Sequence, residues 1–250
     1  MRMFLRPRWL VIHATFAAVA VLFVTLGLWQ LSRLAERRAE NQLMTQNLQA
    51  PASSLDEAFA RYGHDPDALA YRPVTARGTY RPEEEVLLTP RANGRRAGHH
   101  VLTPLELPDG RAVLVDRGWV PYEHDTPPVA AAAPPPGEVQ VTGILVPTQE
   151  AVRYGSAGGE TDELTFLSAV DVDRLQPQLE LDVYPVGILL QEQQPSPASL
   201  PLPGLLPDIS EGSHQSYAWQ WFAFATIVVG GYPLLLRRSL RAARQRQDVA

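Results

Sequence analysis

Cysteine and lysine are both missing from this 250-residue chain, and its 22 basic side chains other than histidine are all arginine. Without cysteine there is no disulfide, no thiolate metal site, no thioredoxin-like redox pair and no covalent c-type haem attachment. Without lysine there is no Walker A phosphate loop and no Schiff-base or Ser-Lys catalysis. Methionine occurs three times, twice within the first three residues, which argues against a thioether copper site. The sequence also lacks G-x-S-x-G, H-E-x-x-H and G-x-G-x-x-G. Its acidic clusters, "EEE" (83–85) and "ETDE" (160–163), read as solvated loops rather than paired acid/base sites. Asp116 beside Arg117 reads as an ion pair. These absences argue against a hydrolase.

What is present is charge asymmetry. Residues 1–29 carry Arg2, Arg6 and Arg8 with no acid, and residues 237–250 carry five arginines against Asp248. Between them, 14 arginines face 26 acids. Such a middle would repel nucleic-acid phosphate, whereas basic ends around an acidic middle suggest a membrane topology. Two segments without formal charge, 9–29 ("WLVIHATFAAVAVLFVTLGLW") and 217–236 ("YAWQWFAFATIVVGGYPLLL"), match the roughly 20 residues a helix needs to cross hydrocarbon. Trp9, Trp29, Tyr217, Trp219 and Trp221 sit where interfacial rings belong. The first segment is long for a signal peptide and no small-x-small site follows it, so an uncleaved anchor is expected. Arginines 237, 238, 241, 244 and 246 favour a cytoplasmic C-terminus. The expected order is a cytoplasmic tail (1–8), a span (9–29), an extracytoplasmic β-rich domain (30–216), a second span (217–236) and a cytoplasmic Arg-rich tail (237–250).

Within the outer domain, "LSRLAERRAENQLMTQNL" continues the first helix, and "SSLDEAFARYG" predicts a short helix with a Ser54/Glu57 capping box and a Gly63 stop. Alternating Val, Leu and Thr predict strands over 73–80, 85–91, 100–107, 112–118, 139–146, 164–170 and 185–191. "PDG" (108–110) predicts a tight turn, "ANGRRAG" (92–98) a longer loop, and "DVDRLQ" a short helix before Pro177. The fold class is therefore two transmembrane α-helices flanking an α+β domain built as a small barrel or sandwich.

Of six histidines, His99 and His100 are adjacent and face opposite sides of a strand. His13 and His214 lie at opposite mouths of the spans, on the order of 25 Å apart in depth, so they cannot share one iron within one subunit. His214 opens the second span beside Tyr217, Trp219, Trp221 and Phe222, with Trp29 at the same depth. Imidazole is the common axial haem ligand, and these rings can wall a haem; equally, they can form an interfacial belt with His214 hydrogen-bonded near the helix start.

"GLWQLSR" (27–33), "YRPVTARGTY" (71–80), "PLELPDGRAVLVDRGWVP" (104–121), "GEVQVTGILV" (137–146) and "HQSYAWQWFAFA" (214–225) together resemble the surfeit-locus family of membrane proteins, which assist assembly of haem-copper cytochrome oxidases. The resemblance implies action on the catalytic subunit I at or near haem a insertion, in the bacterial cell (inner) membrane. Subunit I and other assembly factors are the implied partners, with haem a as a transient cofactor and His214 as the candidate iron ligand; no catalytic residue is implied, and a non-enzyme is expected. Gly27, Trp29 and Gln30 carry its "GxWQ" element; Arg117, Gly118, Trp119, Val120 and Pro121 carry "RGWVP". Gly27 is expected to admit a close helix contact, and Gly118 a bulge that aims Trp119. The alternatives are a permanently bound accessory subunit of a respiratory oxidase and a membrane-anchored ligand-binding sensor.

Overall fold

The computed structural model describes residues 7–151, 164–197 and 199–247; of 242–247 it describes the backbone alone. The acidic stretch 160–163, Arg2 and Arg6 fall outside the described residues, as do the side chains of Arg244 and Arg246. The helices are α1 (Pro7–Leu48), α2 (Leu55–Tyr62), α3 (Pro66–Leu69), α4 (Val172–Leu175) and α5 (His214–Gln247). The strands are β1 (Ser53–Ser54), β2 (Pro73–Tyr80), β3 (Val86–Asn93), β4 (Arg96–Glu106), β5 (Ala112–Pro121), β6 (Glu138–Pro147), β7 (Phe166–Leu167) and β8 (Val183–Gln194). Two compact units result: residues 1–43 with 209–250, and residues 44–208.

The first unit is an antiparallel helix pair. Pro7 opens α1 at a position where a missing N–H costs nothing, and no proline follows within its 42 residues. Thr15, Thr25 and Thr226 each return their hydroxyl to the carbonyl four residues back, at 2.9, 2.9 and 2.8 Å, which hides a polar group inside an apolar stretch. Both α1 and α5 are long and apolar enough to cross a membrane, and only 6% of the most apolar window of each is buried. A core helix of a soluble domain would be covered.

Contacts in the pair recur every seven residues. On α1, Gly27, Leu34 and Asn41 are buried, while Phe16 meets Tyr232 at 4.7 Å and Phe23 meets Trp221 at 5.6 Å between ring centroids. On α5, Ala218 and Ala225 are buried. A repeat of seven with small residues in the seam is the pattern of closely packed helices.

The second unit is an eight-stranded mixed sheet in the order β1-β2-β6-β8-β5-β4-β3-β7. β4 also pairs with β2 through Thr79↔Glu106 and Tyr80↔Leu105. That pairing closes β2, β6, β8, β5 and β4 into a ring, the barrel of the two architectures expected. Alternate residues of the ring fill it, among them Val74, Ala76, Leu105, Val113, Val115, Val141 and Ile188, because successive strand side chains point to opposite faces. The other face of β3, β4 and β5 is covered too: Leu88, Leu102 and Leu114 pack with Leu167 and with Val172 and Leu175 of α4.

Most expected elements appear with small shifts. Ser54 and Glu57 form the capping box, at 3.2 and 3.0 Å, and α2 ends at Gly63. Gly110 closes the 108–110 turn with φ 81°. Two expectations fail. Residues 92–98 are not a long loop: β3 and β4 pair through Asn93↔Arg96, and Gly94, at φ 61°, supplies the left-handed position a two-residue hairpin needs. The strand expected over 164–170 shrinks to Phe166–Leu167, paired in parallel with Leu87 and Leu88. The sheeted unit also begins only at Met44, since α1 continues well past residue 30.

Candidate functional site

His214 is the first residue of α5, and its Nδ1 lies 2.9 Å from Oε1 of Gln30 on α1. An amide oxygen can only accept, so this contact matches the tautomer in which Nδ1–H donates, the one whose lone pair lies on Nε2. Among the described residues Nε2 has no hydrogen-bond partner. A fixed tautomer with a free Nε2 is what an axial iron ligand requires, so His214 and Gln30 fit a haem. The chain entering α5 is itself held. Arg38 grips Glu211 through both carboxylate oxygens, at 2.7 and 2.8 Å, and Asn41 donates to the Ile209 carbonyl at 2.6 Å.

The aromatic residues nominated as haem walls divide. Trp29 and Tyr217 are 53% and 47% exposed, leaving ring surface free at the depth of His214. Trp221 is engaged in a cluster of three rings, with Phe23 at 5.6 Å and Phe224 at 5.9 Å, and those two 5.7 Å from each other. Gly27 does admit a close neighbour, and that neighbour is a ring: a Cβ there would stand 2.6 Å from Cε1 of Phe222.

Arg117, Gly118 and Trp119 lie inside the second unit. His100 pairs with Trp119 and Leu102 with Asp116, so one residue of β4 opposes two of β5 and the strand bulges at Arg117–Gly118. Arg117 is thereby turned into the barrel end, where its side chain is fully buried. It lies 3.4 Å from Glu85, whose carboxylate also accepts from Thr103 Oγ1 at 2.9 Å and from the Val129 amide at 2.7 Å. The Tyr80 ring lies 5.1 Å from the guanidinium carbon. Burial pushes Glu85 above the usual carboxylate range and Arg117 below the usual guanidinium range; the partners oppose both shifts. Trp119 is buried as well, and its backbone exchanges two hydrogen bonds with Leu202, at 2.7 and 2.8 Å.

Two sequence readings are corrected here. Glu85 is not part of a solvated acidic loop; it is the buried counter-ion of Arg117. Asp116 and Arg117 do not pair with each other, because they project to opposite faces of β5. Asp116 instead accepts from His100 Nδ1 at 2.9 Å and from the Gly118 amide at 3.1 Å. Glu85 lies in the linker before β3, and its partners arrive from three separate segments, so nothing local in the sequence marks it. The Gly118 φ of 117° is what the glycine of "RGWVP" signals.

His100 and Asp116 border a cavity of about 390 Å³ with Tyr71, Arg91 and Gln149. His99 points the other way, into the core, stacked 4.9 Å from Tyr122 and with the tilted Phe166 ring at 5.6 Å. Burial lowers its pKa below the ordinary histidine value. Among the described residues no cluster of three or more His, Asp or Glu is placed to hold a metal ion.

A family model described as the SURF1 family matches residues 17–226. An uncharacterized SURF1-like protein of Mycobacterium tuberculosis is 28% identical over 244 residues, covering 96% of this chain and 88% of the relative. A SURF1-like protein of Rickettsia felis is 25% identical over 232 residues, covering 91% and 96%. A SURF1-like protein of Monosiga brevicollis is 26% identical over 238 residues, covering 88% and 86%.

Proposed function

Since the chain belongs to the SURF1 family, a group of oxidase assembly factors, we propose that it assists maturation of subunit I of a haem-copper cytochrome c oxidase in a bacterial cell membrane, by presenting haem a. The observation that carries this reading is the His214–Gln30 pair, which leaves Nε2 free at the mouth of an apolar helix pair. Nε2 would bind the iron, and Gln30 would hold the imidazole in the required tautomer. Trp29 and Tyr217 would lie against the porphyrin. The bound haem supplies the redox centre that the oxidase needs; the chain's own residues bind and orient it, and no covalent step is required of them. Both termini would be cytoplasmic, with the β unit on the outer side, where it would contact subunit I and other assembly factors.

The test is purification of the full chain in detergent from membranes that make haem a. Wild type should carry haem absorbance. His214→Ala should lose most of it, and Gln30→Leu should weaken retention by about tenfold, the effect expected of a residue that orients a ligand. Unchanged spectra in His214→Ala would remove that residue as ligand.

A further inference from the structure

The far end of the helix pair carries cations that, among the described residues, have no acid beside them within the pair. Residues 1–35 and 212–247 contain no aspartate or glutamate, and Arg237, Arg238 and Arg241 are all exposed. Among the described residues none of the three is in a salt bridge. These arginines close one end of a cleft of about 590 Å³ whose walls are apolar, with Phe16 from α1 and Ile227, Gly231 and Leu235 from α5. Gly231 lines the cleft, and a Cβ there would meet nothing within 4 Å. An apolar trough ending in exposed guanidinium groups is amphipathic along its length. Its complement is a molecule with a hydrocarbon tail and an anionic head.

We propose that this cleft binds one anionic phospholipid, with an acyl chain along the Phe16–Gly231 trough and its phosphate on Arg237, Arg238 and Arg241. Guanidinium forks match phosphate oxygens in pairs, and a zwitterionic lipid would bring its own cation to the same place. The proposal rests on the reading of α1 and α5 as membrane spans. Arginines near a bilayer surface also attract anionic lipid diffusely, but that attraction needs no trough, and so the two can be separated.

The experiment uses the full chain, delipidated in detergent and titrated with phosphatidylglycerol or phosphatidylcholine of identical chains, with retained lipid counted by native mass spectrometry. Wild type should retain one phosphatidylglycerol per chain, in preference to phosphatidylcholine by at least about fivefold. The triple variant Arg237→Gln, Arg238→Gln, Arg241→Gln should lose the preference. Gly231→Leu keeps every charge and fills the trough; it should lose the retained lipid while circular dichroism shows the helices intact. Equal retention of the two lipids by wild type would overturn the proposal, and so would undiminished phosphatidylglycerol retention in Gly231→Leu. Recovery of the chain without detergent would instead overturn the membrane reading, and the lipid site with it.

Discussion

At Gly118 the backbone takes a φ of 117°, and a Cβ there would run into the Leu202 carbonyl. Gly118→Ala should therefore combine backbone strain with a backbone clash and cost about 3 kcal/mol, read as a lowered thermal midpoint of the full chain in detergent. The neighbouring Arg117–Glu85 pair makes a different prediction. Removing one member of a buried ion pair strands the other, so Arg117→Met should cost about 3–5 kcal/mol. The double change with Glu85→Gln should recover part of that loss, and full additivity of the two would mean that they do not interact. His99 predicts a pH effect. Burial holds its folded pKa below the ordinary 6.5, opposed by Asp125 and by the backbone at Tyr122. Between the folded value and 6.5 the unfolded chain binds a proton that the native chain does not, so stability rises with pH through that window and is complete above it. The drop in thermal midpoint from about pH 7.5 to about pH 5.5 should be smaller in His99→Phe than in wild type. Of these residues, Gly118 and Arg117 were legible as a motif. Glu85 was not, because burial of a carboxylate is decided by partners far away in sequence.

Among the elements, the strands of the barrel announced themselves by alternation, and 73–80 matches β2 residue for residue. Ring closure was not legible, since it rests on two residue pairs between β2 and β4. The loop expected at 92–98 was misread because charged Arg95 and Arg96 masked a two-residue turn opened by Gly94. In the helix pair the hydrophobic runs were plain, but the seam that repeats every seven residues emerges only once the partner helix is in place. Gly27 predicts how tight that seam is. Gly27→Leu should displace Phe222 and part the helices near His214. The absence of cysteine gives a clean assay: Gln30→Cys with His214→Cys should be joined by a short bifunctional maleimide, and adding Gly27→Leu should cut the yield severalfold. An unchanged yield would show that the Gly27–Phe222 contact does not hold the pair together.

For the whole molecule, the proposed topology has two apolar helices in the membrane and the sheeted unit on the outer side. A single cysteine at the exposed position 123, in Glu123→Cys, should react with a membrane-impermeant maleimide added to intact cells stripped of their outer layer. A cysteine at position 250 should react only after lysis. The reverse pattern would invert the topology. The function proposed for this arrangement is tested most directly by the haem a content of the oxidase itself. In a strain deleted for this chain, oxidase purified through a tag on a different subunit should carry less haem a per subunit I, wild type should restore it and His214→Ala should not, while an unrelated respiratory dehydrogenase keeps its full activity. A normal haem a content in the deleted strain would contradict the account.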